Sequence, residues 1–93
     1  MSIGIDMGKY KLKFQEEKSQ YQQQFGARLK QVRTNFELKQ QPFAERVNAS
    51  QSTIARLELG ERMPEGYIIK MIVEQFGCDI GWLVTGQGDP GLE

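Results

Sequence analysis

The sequence has no histidine, one cysteine, three prolines and a single tryptophan. Without histidine there can be no Ser-His or Cys-His pairing to activate a nucleophile, and no imidazole to hold a metal ion. Cys78 is alone, so it can close no internal disulfide and build no Cys-based metal site. Its position between predicted helices suits a small packed residue. The carboxylates show no paired spacing beyond what helix surfaces carry, so no catalytic residue, metal or cofactor is expected. Also missing are any run of 18 apolar residues and a charged, apolar, small-residue leader. A protein without membrane association, residing in the cytoplasm, is the expectation. Ninety-three residues make one domain with room for a single small core.

Net charge is missing too, with 12 basic residues against 12 acidic. Taken whole, such a chain has no pull on polyanions. The charges are not evenly spread. Between positions 28 and 62 stand Arg28, Lys30, Arg33, Lys39, Arg46, Arg56 and Arg62 against Glu37, Glu45, Glu58 and Glu61. From position 63 onward Lys70 is the one base against five acids. One half of the domain is basic and the other acidic, so any polyanion would be met by directed contacts with a modest salt dependence.

The most informative stretch is 40–59, QQPFAERVNASQSTIARLEL. Phe43, Ala44, Val47, Ala49, Ile54 and Leu57 recur where two short helices crossing steeply would press together. Asn48 falls at the end of the first, and asparagine tolerates the left-handed conformation a tight turn demands. Ser50 stands just before the second, where its hydroxyl can accept from a free amide. At 100° per residue, Ile54 and Leu57 define the buried side of that second helix, with Ser52, Ala55, Arg56 and Leu59 broadly opposite. Gln51 is on the flank of its first turn. Glutamine, serine and arginine suit the edges of bases. They are also what any solvated helix displays, so the turn, more than the polar face, carries the expectation of a nucleic-acid partner.

The spacing of FGARLKQVR (25–33), Gln40, FAERV (43–47), SQSTIARLELG (50–60), Pro64 and FGCDIGWLVTG (76–86) resembles the lambda-type repressor and Cro, or XRE, family of helix-turn-helix domains. The likeness covers 25–86, and the ending DIGWLVTGQGDP is similar to the DNA-binding domains of phage repressors. The resemblance implies an all-α, compact five-helix domain that binds double-stranded operator DNA as a homodimer and regulates transcription. It further implies that the second motif helix enters the major groove, with Gln51, Ser52 and Arg56 facing bases and Ala55 allowing close approach. Gln40, Lys39, Thr53, Arg28, Lys30 and Arg62 are then expected on phosphates, Gln40 also bracing Gln51. Arg33 and Glu58 are expected to form a partly buried ion pair between the first and third helices. Trp82, Leu83 and Val84 are expected either at a two-fold interface or, for Trp82, in the monomer's own core.

Outside the resemblance, residues 1–14 alternate Tyr10, Leu12 and Phe14 with Lys9, Lys11 and Lys13, a period of two that reads as an extended arm. Such an arm could follow phosphates, lie solvated, or pair with another protein chain. Residues 15–86 form the domain. Its first helix carries a stripe of Tyr21, Phe25, Leu29, Val32 and Phe36 with Ser19 as a cap, and Gly26 in that stripe implies another helix passing close. Helices are expected over 65–76, stopped by Gly77, and over 80–84, capped by Asp79. Pro42 could shift the start of the first motif helix by a residue or two. The turn-rich 87–93 reads as a linker or cloning remnant, as if this were the N-terminal domain of a longer repressor. Two alternatives keep the same fold: an antitoxin-like module that also grips a partner protein, and a protein-interaction domain that has lost DNA.

Overall fold

Phe25, Leu29 and Val32, one turn apart on the first helix, are completely buried and form the spine on which the other helices lie. The computed structural model describes residues 7–92. Its helices are α1 (Met7–Asn35), α2 (Gln40–Arg46), α3 (Gln51–Glu58), α4 (Gly66–Phe76) and α5 (Ile80–Thr85). No strand occurs among the described residues.

One core joins all five helices. Phe43, Ala44 and Val47 bring in α2 and its end, Ile54 and Leu57 bring in α3, Ile68, Ile72 and Phe76 bring in α4, and Trp82 and Leu83 bring in α5. Each large side chain among them contributes about 1.5–3 kcal/mol by leaving water. Phe76 is stacked on Phe43 with ring centroids 4.6 Å apart, tying α4 to α2.

Gly26 is where α1 and α3 touch backbone to backbone. A β-carbon there would run into the carbonyl oxygen of Leu57 and lie 2.9 Å from that of Glu58. The close approach expected from its place in the stripe is thus made by α3. Asn48 takes φ 56° in the turn between α2 and α3, as its residue type suggests. Glu37 has the same φ after α1, and nothing in its residue type foretells that.

Three stretches depart from the expectations. Helix α1 begins at Met7, so positions 7–14 are helical rather than extended, and residues 1–6 of the expected arm lie outside the described residues. Lysine, leucine and methionine are good helix formers, and an extended segment with no neighbouring strand has nothing to bond to. Ser19 accordingly sits inside the helix and caps nothing, and α1 crosses the boundary expected at residue 15. Phe36 falls after the end of α1 and leans on Phe76 at 5.0 Å with its other side open to solvent. The segment expected to be a linker folds back: the Asp79 amide donates to the Pro90 carbonyl at 2.8 Å, and Leu92 packs against the core. Pro42 lies in the first turn of α2 without displacing its start from Gln40, because the amides of that turn have no intrahelical acceptor.

Candidate nucleic-acid interface

Helix α3 is set by its two ends. Ser50 Oγ accepts from the Thr53 amide at 3.1 Å and closes the first turn, and at the far end Leu59 and Gly60 leave the helix. With Ile54 and Leu57 completely buried, the helix cannot roll about its axis. Gln51, Ser52 and Arg56 are left exposed on the outer side, and Thr53 and Ala55 are half-buried beside them. Leu59 is 68% exposed on the line of Ser52 and Arg56.

Behind that face runs a chain of polar side chains. Arg33 and Glu58 meet in a two-pronged pair, Nε to Oε2 at 2.6 Å and Nη2 to Oε1 at 2.9 Å, with 13% and 6% of their side chains exposed. Arg33 Nη1 donates to the Leu38 carbonyl at 2.8 Å, which binds the loop before α2 to the same guanidinium. The bond to Glu58 raises the Arg33 pKa against the opposing pull of burial, so the guanidinium stays charged. Gln40 Nε2 donates to Glu58 Oε1 at 3.3 Å, and Gln51 Nε2 donates to Gln40 Oε1 at 3.3 Å. The chain therefore links α1, α3, α2 and the first residue of α3 in turn.

The bases counted as a local positive excess are largely spent on the fold. Arg28 donates from Nε to the Leu83 carbonyl at 2.9 Å and from Nη2 to the Val84 carbonyl at 3.3 Å, and it lies beside the rings of Tyr21 and Phe25. It is a strut between α1 and the end of α5. Arg46 covers the Phe76 ring at 4.6 Å. Arg62 reaches Thr53 Oγ1 at 3.4 Å and Glu65 at 2.8 Å, which holds it beside the first turn of α3. Lys30, Lys39 and Arg56 are exposed, and no described residue pairs with them. Lys39 is the N-cap of α2, but its side chain makes no capping bond.

At the other end of the domain Trp82 is 6% exposed and Leu83 completely buried, so both belong to the monomer's core. A six-residue helix pressed into the core has only its outer side to offer. On α5 that is Ile80, 55% exposed, with half-buried Val84 one turn on. Tyr67, which drew no attention in the sequence, accepts from Asn48 Nδ2 at 3.0 Å and is 48% exposed beside the motif's turn. An aromatic residue on the polar side of α4's apolar periodicity was the available signal. Burial pushes the Cys78 thiol pKa up, which keeps it protonated and weakly nucleophilic. No helix among the described residues is long and apolar enough to cross a membrane.

A family model described as helix-turn-helix matches residues 29–83, more than half of the chain. The HTH-type transcriptional regulator PrtR of Pseudomonas aeruginosa is 39% identical over 66 residues, which are 71% of this chain and 25% of that protein. The chain thus spans about a quarter of the length of this curated relative. No solved structure gives a significant match. Taken with the α2–turn–α3 geometry and its capped second helix, the match over residues 29–83 means that the chain belongs to the helix-turn-helix family of lambda-repressor and XRE type.

Proposed function

We propose that this chain is the sequence-specific, double-stranded DNA-binding part of a transcriptional regulator, a repressor that reads a two-fold operator as a homodimer. The observation that carries the reading is the outer side of α3. Gln51, Ser52 and Arg56 are exposed on a helix whose roll is fixed by Ile54 and Leu57 and whose first turn is held by Ser50. Glutamine matches the donor and acceptor of adenine, arginine the two acceptors of guanine, and serine either, with half-buried Ala55 leaving room between them. The description of the relative as a transcriptional regulator supports the same reading.

Phosphates would be held by Lys30, Lys39 and Gln40, with Thr53 and Arg62 beside the first turn of α3. Arg28 is left out, since its guanidinium is engaged with α5. With so few uncommitted bases, the fall of affinity with salt is shallow for this class of protein. The two-fold contact uses Ile80 and Val84 on the outer side of α5 in place of the buried Trp82 and Leu83. Two α3 helices so related would enter successive major grooves about 34 Å apart.

Selection of bound duplexes from a random pool at about 150 mM salt tests the reading. Inverted half-sites are the expected outcome, and a folded protein that recovers no motif would refute it. Against the selected site, Gln51→Ala is expected to cost about 1–3 kcal/mol and to relax one base position. Equal losses on selected and unrelated DNA would remove Gln51 from base reading.

A further inference from the structure

We propose that Leu59 reads the C5-methyl group of a thymine in the major groove, within two base pairs of the base met by Arg56. The inference rests on the DNA-binding reading above and adds to it a specificity-determining residue that has no hydrogen-bonding group on its side chain.

Leu59 is 68% exposed, more than any other large hydrophobic side chain among the described residues. The core closes without it, on the opposite side of α3, through Ile54 and Leu57. Ser52, Arg56 and Leu59 follow one another at spacings of four and three residues, so the leucine ends a line that otherwise carries polar groups. Its backbone is held from both sides. Leu59 keeps helical angles as the C-cap of α3, and its amide donates to the Ala55 carbonyl at 3.0 Å. Gly60 lies so close to α1 that a β-carbon there would come within 2.9 Å of the Gln23 α-carbon. The Glu61 amide then donates back to the Arg56 carbonyl at 3.0 Å. The leucine is thus presented from a fixed position, and little backbone freedom is left to lose when it is covered.

A leucine side chain neither donates nor accepts, so it serves neither a phosphate oxygen nor the polar edge of a base. The apolar group that the major groove offers is the C5-methyl of thymine. Bringing the two together removes apolar surface of both from water. Reach does not prevent this: the line from Ser52 to Leu59 rises about 10 Å, and the groove is about 12 Å wide. Between Arg56 and Leu59 the rise is about 4.5 Å, little more than the step of about 3.4 Å from one base pair to the next. The methyl therefore belongs to a close neighbour of the base pair that Arg56 reads.

The test replaces each thymine of the selected site in turn by deoxyuridine, which removes the methyl and keeps every hydrogen-bonding group. Affinities are measured for the wild-type protein and for Leu59→Ala, whose fold circular dichroism confirms. With the wild-type protein, one thymine within two base pairs of the position that Arg56→Ala relaxes is expected to weaken binding about three- to tenfold on losing its methyl. Leu59→Ala is expected to bind both duplexes alike. Cytosine and then 5-methylcytosine at the same position return the methyl on a different base, and only the wild-type protein is expected to gain from it. A phosphate or packing role for Leu59 would weaken every duplex equally and leave the methyl effect in place. Equal deoxyuridine losses in the wild-type protein and Leu59→Ala overturn the inference and leave the DNA reading standing. So do a selected site with no thymine that close, and an Arg56→Ala variant that relaxes no position. Failure of the wild-type protein to select any motif overturns both.

Discussion

Around α2 and α3, side chains bond to side chains from one helix to the next: Arg33 to Glu58, Glu58 to Gln40, Gln40 to Gln51. Around α5 the polar bonds from α1 go to backbone instead, with Tyr21 and Arg28 donating to the carbonyls of Leu83 and Val84. The two patterns do different work. A bond to a carbonyl fastens a helix whatever side chains that helix carries, so the fixing of α5 leaves its outer residues free to vary. Bonds between side chains fix the orientation of individual amide groups as well as the helices that carry them.

Three substitutions probe this difference, the first with the largest expected effect. Glu58→Ala strands the Arg33 guanidinium in a half-buried site and unties α3 from both α1 and Gln40. A loss of about 3–5 kcal/mol in urea unfolding is expected. A loss below about 1 kcal/mol would mean that the chain of side chains is surface decoration. Arg28→Ala withdraws charged donors from the end of α5, and a loss of about 1.5–3 kcal/mol is expected. Hydrogen exchange should quicken in residues 80–85 and stay unchanged in α3, and quickening in both would erase the distinction between the two regions. Smallest is Glu65→Ala, which breaks the exposed pair with Arg62. Solvent screens that pair, and unfolding should move by about 0–1 kcal/mol. A loss matching that of Glu58→Ala would show that burial is not what separates the two ion pairs.

Much of the helical framework is legible along the chain because its signals are local. Asn48 and Ser50 mark a turn and a cap by residue type, Gly77 ends α4, and Asp79 caps α5 by accepting from the Trp82 amide at 2.8 Å. The stripe from Tyr21 to Val32 predicts which side of α1 is buried. The expectation of an extended arm before residue 15 shows the limit of periodicity: alternating lysines fit a strand on paper, but a strand needs a neighbour. Trp82 shows another. Whether a tryptophan on a six-residue helix faces a second subunit or its own core depends on how near α1 and α4 lie, and no local spacing encodes that.

Spacing along the chain is enough to place the turn and caps, the buried stripes and the residue types offered on α3. These follow from contacts between residues three or four apart, which spacing alone reveals. Tertiary structure alone decided which charges remain available. Arg28 finds its acceptors 55 and 56 residues away, and Arg46 finds the face of Phe76. A long flexible cation carries no mark of its partner, and only the crossing of helices settles whether it is spent on the fold or presented to a ligand.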